Sequence, residues 1–104
     1  MKCDCNQTEN LALDAAAAVF KALGHPVRLH IVRMLLDGER CVCELHKGTQ
    51  RDMSTISSHL NILKNAGVVS SEQRGKNIYY TLAKPCLRTV VTYIDKRLQF
   101  GDRA

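Results

Sequence analysis

Two cysteines one residue apart, Cys41 and Cys43, interrupt the middle of this 104-residue chain, and a second such pair, Cys3 and Cys5, stands near its start. Thiol pairs of this spacing either ligate a soft ion or undergo oxidation. Ligation requires thiolate. The partial positive charge and free N–H groups of a helix N-terminus help to supply it by lowering a thiol from its ordinary value of about 8.5 toward neutrality. On an α-helix, residues two apart point about 200° away from one another. Both sulfurs therefore converge on one ion only where the pair straddles a first turn and the chain arrives extended, and Gly38-Glu39-Arg40 is a suitable approach. Small buried apolar packing is the alternative role, since free cysteine packs well in cores. The fifth cysteine, Cys86, follows Pro85 at another expected helix start.

A second candidate chemistry lies just downstream. Asp52 is placed to cap a helix over 53–66 that Gly67 ends. Within it Ile56, Leu60 and Leu63 form an inward stripe, while Ser54, Ser58, Asn61 and Asn65 face the other way with Thr55 and Ser57 on the flanks. Small uncharged donors and acceptors of this kind can approach base edges in a DNA major groove. Candidate base contacts are Ser54, Ser57, Ser58 and Asn61. An ordinary solvated helix face is the alternative.

These side chains need elements to position them. Residues 11–23 are Ala-rich and apolar nearly all round, suiting a buried or interface helix. Gly24-His25-Pro26 breaks it, and the proline suits the first turn of a second helix carrying Val27, Ile31, Met34 and Leu35 at helical spacing. Asp37-Gly38 ends that helix, and a short helix over about 41–47 follows. After the helix at 53–66, strands are expected at 68–74 and 77–82, the second alternating Ile78, Tyr80 and Leu82 against Tyr79 and Thr81. A turn with Gly75-Lys76 joins them. Pro85 opens a last helix striped by Leu87, Val91, Ile94 and Leu98. The order predicts a mainly α fold with a β-hairpin: a helix-turn-helix followed by a basic wing, whose Arg74 and Lys76, with Thr55, would anchor phosphates.

Composition agrees. The net charge of +5 is uneven: residues 1–39 carry four bases and five acids, whereas 40–84 carry seven bases and three acids. A basic middle suits a polyanionic partner. No apolar run approaches the roughly 20 residues that span a bilayer, and the first residues form no apolar signal segment, so the chain is expected to be cytosolic. In that reducing compartment five cysteines do not form a disulfide framework. Enzyme readings find little: no Ser/His/Asp arrangement, Gly-rich phosphate loop or paired carboxylates in an evident pocket.

Five stretches together resemble the ArsR/SmtB family of winged-helix metalloregulators. They are Phe20-Lys-Ala-Leu-Gly-His-Pro-Val-Arg-Leu29, Gly38-Glu-Arg-Cys-Val-Cys-Glu-Leu45, Asp52-Met-Ser-Thr-Ile-Ser-Ser-His-Leu60, Leu63-Lys-Asn-Ala-Gly-Val-Val69 and Arg74-Gly-Lys-Asn-Ile-Tyr-Tyr80. The resemblance implies a homodimer joined through its first and last helices, with a tail at 1–10, flexible, preceding a winged helix-turn-helix DNA-binding and dimerisation domain at 11–100. It implies a repressor that binds operator DNA when empty and releases it on binding its inducer. Cys41-Val42-Cys43-Glu44-Leu45 is similar to the thiolate motif of arsenic-, antimony-, cadmium- and lead-responsive members. Where arsenic sensors often carry a further cysteine this chain has His46, and where others build a zinc-nickel site on the last helix it has no histidine. The family's usual Gly and Leu in the turn before the recognition helix are replaced by Thr49-Gln50-Arg51.

Trivalent arsenic or antimony, As(III) or Sb(III), requires a third ligand beside Cys41 and Cys43, with Cys86 the first candidate and Cys3 or Cys5 the alternative. Four thiolates, Cys3, Cys5, Cys41 and Cys43, would instead suit tetrahedral Cd(II), or Pb(II). Two further readings stand beside ion sensing: a thiol-redox-sensing repressor, and a winged helix that binds protein in place of DNA. Among the histidines, His59 is expected at the core edge with a hydrogen bond, His25 and His30 as structural residues, and His46 on the surface.

Overall fold

A computed structural model describes the backbone of residues 2–97 and the side chains of residues 12–97. The chain runs α1 (Lys2–Leu23), α2 (Pro26–Leu35), β1 (Arg40–Cys41), α3 (Val42–Thr49), α4 (Met53–Asn65), β2 (Val69–Arg74), β3 (Asn77–Leu82) and α5 (Cys86–Lys96). The first helix thus reaches back to Lys2, beyond the start expected at residue 11 and through residues read as a tail. Leu98, expected to continue the stripe of α5, lies outside the described residues, as do the side chains of Cys3 and Cys5.

The helix boundaries follow local chemistry. Pro26 occupies the first turn of α2, where its missing N–H costs nothing. His25 caps that helix, its Nδ1 accepting the Val27 N–H at 3.1 Å. Asp52 caps α4 as expected, accepting the Thr55 N–H at 3.3 Å. Gly67 takes φ +80°, which lets the chain leave α4 through the left-handed region without a Cβ clash. Gln50 does the same work after α3 at φ 58° and ψ 31°, with its N–H on the His46 carbonyl at 3.1 Å. The turn of the helix-turn-helix therefore closes by the usual left-handed geometry, with glutamine where glycine would be least strained.

The core forms where the stripes of α2, α3 and α4 meet the sheet. Ile31, Val32, Leu35, Leu45, Ile56, Leu60, Leu63 and Val68 are essentially inaccessible to water. Burying each such side chain contributes about 1.5–3 kcal/mol relative to leaving it exposed. The sheet has three antiparallel strands in the order β1-β3-β2. The hairpin register pairs Val69 with Leu82 and Arg74 with Asn77. The two-residue strand β1 was not foreseen: Arg40 pairs with Tyr80 and Cys41 with Tyr79. Two residues carry too little periodicity to announce a strand, so this pairing is decided by the hairpin that comes to lie beside them.

On the opposite side the surface is apolar. Phe20 of α1 and Tyr93 of α5 are each more than 60% exposed, and Val90 and Ile94 are also open. A groove of about 240 Å³ between α1, α2 and α5 is lined by Phe20, Leu23, Leu29, Val90, Val91 and Ile94.

Candidate nucleic-acid interface and thiol pair

The outer face of α4 is arranged largely as its periodicity required. Ile56, Leu60 and Leu63 are buried, and Ser54, Ser57, Ser58 and Asn61 are exposed. Half-buried Thr55 sits at the edge of the core. The Asp52 carboxylate organises the first turn: Ser54 Oγ donates to Oδ2 at 2.5 Å and Thr55 Oγ1 to Oδ1 at 2.7 Å. These hydroxyl bonds and the Thr55 N–H hold the Asp52 carboxyl down to about 2. A hydroxyl has one hydrogen to give. Ser54 and Thr55 therefore have only acceptor capacity left to offer, while Ser57, Ser58 and Asn61 keep their donors.

The two wing cations differ. Lys76, in the hairpin turn, is exposed and makes no ion pair among the described residues. Arg74, named from the sequence as a phosphate anchor, is engaged within the protein. Its Nη1 and Nη2 donate to the Glu39 carboxylate at 2.7 and 2.9 Å, and Nη2 also to Glu72 at 2.9 Å. Its guanidinium lies over the Tyr79 ring, 4.7 Å from the centroid. Hydrogen bonding from Arg74 lowers the Glu39 carboxyl from its ordinary value, and the same bond raises Arg74. No feature of the sequence announced the partnership, since Glu39 and Arg74 meet only when the wing folds back on the loop before α3.

The thiol pair straddles a helix start, as convergence requires. Cys41 is the N-cap of α3 in extended conformation, with φ −78° and ψ 160°, and Cys43 is in the first turn. Glu44 fixes this turn by accepting the Cys41 N–H at 2.9 Å. Cys41 is half-buried and Cys43 exposed. The Cys43 thiol lies against the wing, 3.9 Å from Asn77 Oδ1. The expected lowering toward neutrality is not found at Cys43. Hydrogen bonding with Cys41 and its charge, then desolvation, push the Cys43 thiol up, and they outweigh the backbone N–H that favours thiolate. Two adjacent sulfurs resist carrying two charges unless a cation stands between them. Cys86 is exposed as the first residue of α5. Among the described residues, no three His, Cys, Asp or Glu side chains gather as a metal site. One protomer thus brings Cys41 and Cys43 together and adds no third described ligand.

The remaining histidine of interest is His59, half-buried on α4. Its ring centroid is 4.5 Å from that of His25, and its Nδ1 is 3.3 Å from Arg28 Nη1. This agrees with a hydrogen-bonded core-edge role.

Comparison with known proteins decides the family. Residues 25–71 match the model of the bacterial regulatory proteins of the arsR family. A transcriptional repressor SmtB homolog of Synechocystis is 33% identical over 99 residues, covering 92% of this chain and 75% of the relative. The chain belongs to the ArsR family. A cadmium resistance transcriptional regulatory protein CadC homolog of Staphylococcus aureus is 42% identical over 67 residues, covering 64% of this chain and 55% of that protein. The chain thus spans only about half the length of that relative. In structure, the homodimeric winged helix-turn-helix DNA-binding domain Mb0332 of Mycobacterium bovis superposes with a TM-score of 0.80 at 29% identity, covering 92% of each chain. This ArsR-family chain is a transcriptional regulator, not an enzyme. No helix among the described residues is long and apolar enough to cross a membrane.

Proposed function

We propose that this chain is a homodimeric repressor that binds operator DNA when empty and releases it when a thiophilic ion binds at Cys41 and Cys43. The observation that carries this reading is the convergence of the two thiols at the start of α3, which packs directly on α4. In the dimer, α4 of each protomer would enter the major groove with Ser54, Ser57, Ser58 and Asn61 at base edges. Thr55 and Lys76 would meet phosphates. Displacing α3 displaces α4 with it, because Leu45 shares the buried core with Ile56 and Leu60.

Cys41 and Cys43 supply two sulfurs of a site that is completed elsewhere. As(III) or Sb(III) needs one more thiolate, from Cys86 or from Cys3 or Cys5. The cadmium-resistance relative supports the second reading, Cd(II) or Pb(II) held by Cys3, Cys5, Cys41 and Cys43. Redox sensing at the same pair is the third reading, distinguished by release with peroxide alone.

Fluorescence anisotropy on a duplex selected from a random pool tests the proposal. Arsenite or cadmium should weaken binding about 5–150-fold, the range of ordinary allosteric coupling, and Cys41→Ser should abolish the response. Release by peroxide alone would transfer the site to redox chemistry, and no release by any thiol reagent would end the sensor reading. Loss of the arsenite response in Cys86→Ser, but not in Cys3→Ser or Cys5→Ser, would identify the third ligand.

A further inference from the structure

A wing that grips DNA is expected to offer its cations outward, yet here one of the two is locked down. Arg74 gives both Nη atoms to Glu39 and one also to Glu72, and its flat face covers Tyr79. Glu72 is the more exposed of the two acids and holds by one contact, so the forked pairing with Glu39 dominates. Glu39 belongs to the loop before β1, and Tyr79 pairs with Cys41 in the sheet, so the clamp is built on a fixed backbone. Held by Glu39 and Glu72, Arg74 offers no free positive charge to a phosphate backbone, and Lys76 is left as the wing cation that can meet one.

Such neutralisation has a consequence for DNA binding. Phosphate contacts add affinity for every sequence alike, whereas base contacts discriminate. We propose that Glu39 is a specificity-determining residue: it withholds Arg74 from DNA, lowers affinity for non-cognate duplex, and leaves discrimination to the Ser/Asn face of α4. This rests on the DNA-binding part of the function proposed above and is independent of which ion, if any, is sensed.

A double-mutant cycle decides it. Wild type, Glu39→Gln, Arg74→Gln and the double variant are titrated against the selected duplex and a scrambled one over a range of salt, without added ion. Glu39→Gln should tighten binding to scrambled duplex more than to selected duplex. It should also steepen the salt dependence by about 0.9 for each arginine released to a phosphate, about 1.8 for the two wings of a dimer, so that a fourfold rise in salt costs it roughly twelvefold more affinity than wild type. Arg74→Gln should leave the wild-type slope unchanged, and the double variant should return to it. The inference is overturned if Arg74→Gln alone flattens the slope, since Arg74 then already touches DNA. It is equally overturned if the gain from Glu39→Gln persists without Arg74, or if Glu39→Gln weakens binding. Absence of duplex binding in all four proteins would instead overturn the DNA-binding reading on which it stands.

Discussion

Arg28 joins three helices with one guanidinium. Its Nε donates to the Ala22 carbonyl near the end of α1 at 2.6 Å, and its Nη1 meets His59 Nδ1 on α4. Accepting from Arg28 requires Nδ1 of His59 to be unprotonated. Burial, then the charges of His25, Arg28 and Arg51, lower the His59 imidazole from its ordinary value. The unfolded chain therefore takes up this proton more readily than the folded one. Stability from His59 is complete above the ordinary histidine value of about 6.5 and is lost as pH falls through the lower folded value. Thermal unfolding should show a larger fall in Tm from about pH 7.5 to about 5.5 in wild type than in His59→Gln. An equal fall in both would reject this role. Asp52 follows the same sign in a more acid range: its contribution is complete above the ordinary aspartate value and is lost as pH falls toward about 2.

At the scale of elements, the helix-turn-helix depends on one strained residue. Left-handed backbone costs a residue with a Cβ roughly 1–2 kcal/mol, and Gln50 occupies it. Glycine removes that cost while adding about 0.4–1 kcal/mol of unfolded-chain entropy. Gln50→Gly should then raise stability by about 0.5–1 kcal/mol in urea unfolding, without changing the slope. A loss would mean that the glutamine side chain stabilises the turn. Leu60 tests the other side of the motif. It is 1% exposed in the core beneath the recognition face, and Leu60→Ala should cost about 2–5 kcal/mol.

The whole molecule carries an unfinished surface. Phe20, Val90, Tyr93 and Ile94 are open on α1 and α5, the two helices through which the homodimer is proposed to form. A second copy would bury this apolar face and set the distance between the two α4 helices. Placing a charge there, as in Phe20→Glu with Ile94→Glu, should give a monomer by sedimentation and sharply reduce affinity for a two-site operator. Retained dimerisation in that variant would locate the interface elsewhere.

Periodicity and caps made most of the fold legible. The 3.6-residue stripe of α4, the alternation of β3 and the cap at Asp52 are local patterns, and local patterns survive in a linear text. The Cys-Val-Cys spacing likewise announced two converging sulfurs, because the 200° separation on a helix leaves a helix start as the place where they meet. Tertiary structure alone decided the rest. Strand β1, the Glu39–Arg74 clamp, the Arg28–His59 contact and the place of Asn77 beside Cys43 join residues 31–40 positions apart. The direction of the Cys43 shift was of the same kind. A helix N-terminus favours thiolate, but a second thiol brought alongside opposes it, and their balance depends on a proximity that only the folded turn creates.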